Sequence, residues 1–507
     1  MTAIDPGRTV SVVGTGTMGQ GIAQVALVAG HLVRLYDAAP GRADEAVRSI
    51  AARLGRLVEK GRLDAAARDA ALARLRPAAQ LTELADSALV IEAILEQLPV
   101  KQKLFAELES AVSDDCLLAT NTSSLSVTAV AGGLRVPGRL VGLHFFNPAP
   151  VLPLVEVVRG HATAPAAAEL ARATVAAWGK TPVTCADTPG FIVNRIARPF
   201  YAEALRVYEE QAADPATVDA VLRESGGFAM GPFELTDLIG QDVNEAVTRS
   251  VYEAFFHDPK FTPSLAQRRL VEAGLLGRKT GRGWFGHGTD AARPEPHTAG
   301  PCRAPGRVGW HARLPANASV LREMIEEAGI EVVRDREPAR SDGFISLPGG
   351  TQLALTDGSG ATNTAYLGPR ISFDLALDYR TCTRIALAPG ETVPEEDLQA
   401  AIGLFQALGK KVSVISDVPG MIVARTVAML ADLAEDAAGR GVASREDIDT
   451  AMRLGVNYPE GPLQWAAAVS YDWVRLVLQN LDHEYPGGRY GACQPLRRRA
   501  AVEESLL

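Results

Sequence analysis

His144 and Glu156 are the residues whose types and surroundings could do chemistry. His144 lies near the end of an apolar run, Leu140 to Pro148, and Glu156 stands inside a second one, Leu154 to Val158. A carboxylate flanked by valines is costly to bury unless a cation or a hydrogen-bond donor meets it. His144 is the obvious donor. Such a pair would suit proton removal from a hydroxyl. An imidazole titrates near ~6.5, and a carboxylate partner fixes its tautomer and stabilises the imidazolium that forms. The alternative is a core histidine and a strand-edge glutamate that never meet.

The elements before the pair must position it. Thr9 to Val13 reads as a strand and leads directly into Gly14-Thr15-Gly16-Thr17-Met18-Gly19. Helical spacing follows from Gln20 to Ala29, then a second strand, His31 to Tyr36, and Asp37. Strand, glycine triplet, helix and a following acid make up the dinucleotide-binding context. Gly14 allows the tight turn, Gly16 lets a pyrophosphate approach the backbone, and Gly19 permits close helix–strand packing. Asp37 would bind ribose hydroxyls and repel a 2′-phosphate, which favours NAD over NADP. A helical stretch is expected from Arg42 to Leu75. Arg53, Arg56 and Lys60 share one face of it, either as a solvated stripe or as a clamp for a polyanion such as coenzyme A. Polar residues at further strand ends, Glu92 to Glu96 with Lys101 and Asn121 to Ser124, converge on the same crevice as His144.

Composition removes several function classes. At 507 residues the chain is too long for one core, and its net charge of -9 argues against nucleic acid as a partner. No apolar run is long enough to span a bilayer, so no membrane role is expected. Five scattered cysteines suggest a reducing, cytoplasmic setting, with neither a metal site nor a disulfide framework.

Seven motifs in order carry a resemblance: Gly14 to Gly19, Val90 to Glu96, Asn121 to Ser124, Gly142 to Pro148, Asp187 to Arg195, Gly231 to Glu234 and Gly277 to Phe285. Together they resemble the L-3-hydroxyacyl-CoA dehydrogenase family. The resemblance implies a Rossmann-type NAD domain followed by an all-helical domain, acting on acyl-CoA. By position it implies His144 as the base, Glu156 as its orienting partner, and Ser123 and Asn194 holding the substrate's C3 oxygen and thioester end. It puts Glu96, Lys101, Ser123, Asn147 and Lys279 near the dinucleotide, beside Gly14, Gly16, Thr17, Met18, Gly19 and Asp37. Lys60 and Arg53 fall where the family contacts CoA. Long chains of this kind resemble bacterial enzymes of phenylacetate breakdown that oxidise 3-hydroxyadipyl-CoA. The alternatives are 3-hydroxybutyryl-CoA as substrate, or a non-catalytic NAD-binding relative. Sugar-nucleotide and phosphogluconate dehydrogenases would need a catalytic cysteine or lysine at a comparable motif, and neither is present.

The second half repeats the first. A shift of 230 positions aligns Asp187 to Arg195 with Asp417 to Arg425, and Gly231-Pro232 with Gly461-Pro462, without a gap. In that register His144 falls on Asp374, Glu156 on Ala386 and Asn194 on Ala424. The copy is therefore not a second active site. The expected domains are a Rossmann-type domain at 1–187 and a helical domain at 188–287, with a linker at 288–309. A shortened degenerate α/β unit at 310–416 and a second helical domain at 417–507 complete them. In single-copy relatives two helical domains from different subunits pack together. A tandem copy could supply that packing within one chain, leaving a homo-oligomer open.

Overall fold

The computed structural model describes residues 2–505 apart from 290, 293, 312, 313, 315 and 335–342. Part of the expected linker and part of the expected second α/β unit therefore lie outside the described residues. The chain divides into two compact units, one made of residues 1–195 with 440–456 and the other of 196–439 with 457–507.

The first unit is built on eight strands: β1 (Thr9–Val13), β2 (Leu32–Tyr36), β3 (Leu75–Ala78), β4 (Ser87–Glu92), β5 (Leu117–Thr120), β6 (Leu140–Phe145), β7 (Leu154–Arg159) and β8 (Thr181–Ala186). Their order is β3-β2-β1-β4-β5-β6-β7-β8. The first six are mutually parallel, β7 runs antiparallel to β6, and β8 runs parallel to β7. Parallel strands covered on both faces must be apolar throughout, and the central strands are buried along almost their whole length. The strand order reverses at β1 and β4, and there the glycine loop leaves β1 and Glu92 ends β4.

The β6–β7 pairing creates the chemistry. Its register sets His144 directly opposite Glu156, so the two side chains share one face as cross-strand neighbours. Residues 440–456 fall in this same unit although the sequence places them in the second helical domain. Their helix, Arg445–Val456, lies against β7 and β8, and Ala186 N donates to Val442 O at 2.7 Å, which occupies part of the β8 sheet edge.

The second unit holds a seven-stranded sheet and the remaining helices of both sets. Its strands are β9 (Arg307–His311), β10 (Glu331–Arg334), β11 (Phe344–Ser346), β12 (Gln352–Leu355), β13 (Arg370–Phe373), β14 (Arg384–Pro389) and β15 (Lys411–Val414), in the order β10-β9-β11-β12-β13-β14-β15. β13, β14 and β15 begin 230 residues after β6, β7 and β8, and they repeat the same antiparallel and parallel pairings. Gly349 and Gly350 lie between β11 and β12, not between a strand and a helix. Helix Arg198–Glu209 packs on its counterpart in the copy, Val423–Gly439, with Glu203 Oε2 3.1 Å from Arg425 Nε.

The helix expected from Arg42 to Leu75, and two helical stretches of the domain at 188–287, are each broken in two for local reasons. Arg42 to Leu75 becomes Arg42–Glu59 and Ala65–Leu72, because Gly61 is left-handed (φ 65°) and Asp64 caps a new N-terminus. Leu75 itself starts β3. Pro232 to Phe256 breaks at Gly240, whose φ of 105° stops the helix. Phe191 to Gln211 becomes Val193–Ile196 and Arg198–Glu209, with Pro199 at the start of the second piece.

Candidate active site

His144 Nδ1 lies 2.6 Å from Glu156 Oε2, and both side chains are buried. The other carboxylate oxygen accepts from Ile192 N and Val193 N, each at 3.0 Å, at the start of the short helix Val193–Ile196. Glu156 therefore has a cationic or neutral donor on one oxygen and two backbone donors on the other, which offsets the cost of burying it. With Nδ1 committed to the carboxylate, proton exchange falls to Nε2. The ring is confined by Phe146, at a centroid distance of 4.5 Å, and by Phe191 at 5.8 Å.

Asn194 follows Val193 on the same short helix, and its amide nitrogen lies 3.4 Å from Ser123 O. The helix start that holds Glu156 against His144 thus also carries Asn194, which reaches the Ser123 loop. The loop carrying Ser123 is pinned from below. Glu96 Oε1 accepts from Thr122 Oγ1 at 2.5 Å, Ser123 N at 3.0 Å and Ser124 N at 3.2 Å. Burial opposes ionisation of Glu96, but the Lys101 charge and these donors hold its carboxyl below the usual range. Lys101 is fully buried between Glu92 (2.5 Å) and Glu96 (3.2 Å). Its ammonium faces the carboxylates that shape the loop.

The glycine loop meets the steric demands of a dinucleotide. Gly14 has φ 97°, and a Cβ there would lie 2.5 Å from Ala93 O. A Cβ on Gly19 would lie 1.8 Å from Gly14 O, so only glycine permits that helix–strand approach. Nothing lies within 4 Å of a Cβ built on Gly16, which leaves the loop backbone open at the N-terminus of helix Thr17–Val28. Thr17 is exposed there and Met18 half-buried. Asp37, just beyond β2, accepts from Thr15 N at 3.0 Å and Thr15 Oγ1 at 2.6 Å. Burial works to raise its pKa, yet the Thr15 and Ala39 donors and the Arg42 charge bring it below the ordinary carboxylate value. An ionised Asp37 beside the loop suits ribose hydroxyls and disfavours a 2′-phosphate. These residues fit NAD.

The remaining expected residues are more dispersed. Arg53 reaches back to Gln20 Oε1 at 3.2 Å, beside the glycine loop, whereas Lys60 is exposed at the end of its helix. Asn147 is exposed and precedes a cis peptide to Pro148. Lys279 belongs to the other compact unit and is paired there with Asp242. Arg198 is buried and donates to Thr248 Oγ1 at 3.1 Å. Among the described residues, no cluster of three His, Cys, Asp or Glu could hold a metal ion. No helix there is long and apolar enough to cross a membrane.

Several residues placed only within motifs turn out to have specific supporting roles. Glu92 accepts from Lys101, Thr120 Oγ1 and Ile94 N. Asn121 Oδ1 accepts from Phe145 N, next to the histidine. Asp187 accepts from Ser126 Oγ and Thr128 N, both at 2.7 Å. Glu92 carried the same kind of signal as Glu156, a lone carboxylate on an apolar strand. Asn121 and Asp187 carried none beyond their place in quoted motifs.

Comparison with known proteins gives consistent matches. Residues 9–188 match the NAD binding domain of 3-hydroxyacyl-CoA dehydrogenase, and residues 190–287 and 420–505 match its C-terminal domain. Residues 353–419 match the reduced Rossmann-fold domain of 3-hydroxybutyryl-CoA dehydrogenase. The chain is 44% identical over 502 residues to the 3-hydroxyadipyl-CoA dehydrogenase of Escherichia coli (strain K12), covering 98% of each. It is 41% identical over 282 residues to the 3-hydroxybutyryl-CoA dehydrogenase of Mycobacterium tuberculosis, covering 55% of this chain and 98% of that one. A crystal structure described as 3-hydroxybutyryl-CoA dehydrogenase from Escherichia coli K12 matches with a TM-score of 0.89 at 43% identity, covering 99% of each chain.

Proposed function

The chain belongs to the 3-hydroxyacyl-CoA dehydrogenase family, an NAD-dependent oxidoreductase family, and from that premise we propose that it oxidises 3-hydroxyadipyl-CoA to the 3-oxo thioester with His144 as the base. One observation carries the site assignment, the 2.6 Å contact between His144 Nδ1 and a Glu156 whose second oxygen is already held. His144 Nε2 takes the proton from the C3 hydroxyl as hydride leaves C3. The imidazolium that results is stabilised by Glu156, which also fixes the tautomer. Ser123 and Asn194 donate or accept hydrogen bonds only, so they orient the C3 oxygen and the thioester end. Gly14, Gly16, Thr17, Met18, Gly19 and Asp37 would hold the dinucleotide, with Glu96 shaping the adjoining loop. Bound NAD supplies the hydride acceptor. Arg53 and Lys60 are assigned to the CoA phosphates. We place the reaction in the cytoplasm, as the five free cysteines favour.

The terminal carboxylate in this assignment rests on length. The relative named for 3-hydroxyadipyl-CoA matches over the whole chain, whereas the Mycobacterium tuberculosis relative named for 3-hydroxybutyryl-CoA covers 55% of it. The second reading, 3-hydroxybutyryl-CoA, is favoured by the name of the full-length solved structure. Catalytic efficiencies on the two substrates, followed by NADH absorbance, separate the readings. The 3-hydroxyadipyl thioester is expected to be better by at least roughly tenfold, or ~1.4 kcal/mol in transition-state binding. A reversed ratio would favour the shorter substrate, and no turnover of either would favour a non-catalytic relative.

A further inference from the structure

Gly455 lies in the copied half of the sequence, yet it touches the residues that frame the proposed catalytic pair. A Cβ built on it would lie 2.7 Å from Leu154 Cδ2 and 3.1 Å from Val193 Cγ2, with Phe146 Cε1 at 3.6 Å. Each of these neighbours adjoins the pair. Leu154 sits two residues before Glu156 on β7, hence on the same face of the strand. Val193 donates its backbone N–H to Glu156, and Phe146 packs against the His144 ring. Leu154 and Val193 are buried, so their methyl groups can yield only by displacing other packed atoms.

The helix that carries Gly455, Arg445–Val456, is fixed on the sheet at its other end. Thr184 N lies 3.4 Å from Asp447 Oδ2, and Ile448, Ala451 and Met452 are wholly buried. A side chain at 455 therefore could not be accommodated by swinging the helix away without loss of that packing. The counterpart of Gly455, 230 positions earlier, is Ser225. Its hydroxyl donates to Arg384 O at 2.6 Å in the second unit, where the register leaves no histidine or glutamate. A side chain is accommodated where there is no catalytic pair and is missing where there is one.

We propose that Gly455 is a positioning residue for the His144–Glu156 pair, and that the copied helix Arg445–Val456 forms the backing of the active site. The inference rests on the reading of His144 and Glu156 given above. Its chemical content is steric. The missing side chain lets the helix close on Leu154, Val193 and Phe146, which fixes the N–H donors of Glu156 and the plane of the His144 ring. Nothing from the helix touches the reacting atoms.

Gly455→Ala in the full-length chain tests this, with Leu154→Ala as the compensating change. The single variant is expected to lose roughly 10- to 100-fold in kcat, the scale of a small misplacement at a reacting centre. KM for the acyl-CoA and the affinity for NADH should change little. The acidic limb of the kcat/KM profile should move to lower pH, because a looser carboxylate stabilises the imidazolium less. Adding Leu154→Ala should recover most of the loss, since it removes the nearest methyl. Wild-type kcat and an unmoved pH profile in Gly455→Ala would overturn the proposal. So would a combined loss of activity and NADH binding that Leu154→Ala does not repair, because that marks a general folding role. Either result leaves the reading of His144 to be judged by its own substitution.

Discussion

The two halves of the chain solve the same structural problem with different residues. In the first, Glu156 on β7 accepts from Ile192 N and Val193 N, which begin a helix. In the second, the register puts Ala386 on β14, and the carboxylate comes instead from Asp374, the counterpart of His144. Asp374 accepts from Ile422 N and Val423 N, at 3.0 and 2.8 Å, and from Ala424 N at 3.0 Å. A buried acceptor at this helix start is thus kept in both copies, delivered from a different strand. The lysines at corresponding positions were kept outright. Lys180 donates to the carbonyls of Ala149 and Leu152, and Lys410 to those of Arg380 and Cys382. Glu156 therefore has two separable duties, one structural and one toward the histidine, and only the structural one survives copying.

The largest expected effect comes from the histidine itself. His144→Gln should lower kcat by about 10²- to 10⁴-fold while NADH affinity stays near normal. Titration of the variant with NADH, alongside a turnover assay on acetoacetyl-CoA, checks both parts. A fully active variant would sink the base assignment. Glu156→Gln comes next and cuts across both duties. One amide oxygen can still accept from Ile192 and Val193, but the amide nitrogen cannot accept from His144. The variant should keep most of its thermal stability, losing about 1–3 kcal/mol, while its turnover falls further than that loss explains. If stability and activity fell together in Glu156→Ala and Glu156→Gln alike, the two duties would not be separable.

Much of this was legible in residue order alone. The glycine loop, Asp37 and the β1–helix–β2 unit follow from spacing, because strand, turn and helix periods are local. The costly burial of Glu156 pointed to a partner, and the partner was found because both residues lie on apolar strands. What sequence order could not supply was the β6–β7 register that sets the pair face to face, since register depends on long-range pairing. Asp374 was equally opaque. It reads as a lost histidine, whereas the fold uses it as a replacement for a glutamate twelve residues further on. The membership of residues 440–456 in the first unit was hidden for a similar reason, as the duplication predicts homologous positions and not which sheet each helix covers. The broken helices at Gly61 and Gly240 were readable, had left-handed glycines been weighed against helical periodicity.

Asp374 gives the smallest and most specific expected effect. Burial pushes its carboxyl up to about 6, against the pull of the Val423, Ala424, Ile422 and Leu375 N–H groups. An unfolded aspartate titrates near ~3.9, so between these values the folded chain holds a proton that the unfolded chain has lost. The associated stability is fully present below about pH 4 and disappears as the pH rises through about 6. It is worth at most ~3 kcal/mol at one pKa unit per 1.36 kcal/mol. Asp374→Asn removes this slope, because an amide does not titrate. An amide resembles the protonated acid, so between about pH 4.5 and 7.5 the melting temperatures should lie closest at the acidic end and separate toward neutrality, where the wild type falls below the variant. Turnover by the variant should match wild type wherever both are folded, since the copied site has neither His144 nor Glu156 to support. A pH-independent difference in melting temperature would mean that Asp374 stays ionised in the fold. In that case its four backbone donors outweigh burial, and the carboxylate of the second copy is held as an anion at its helix start.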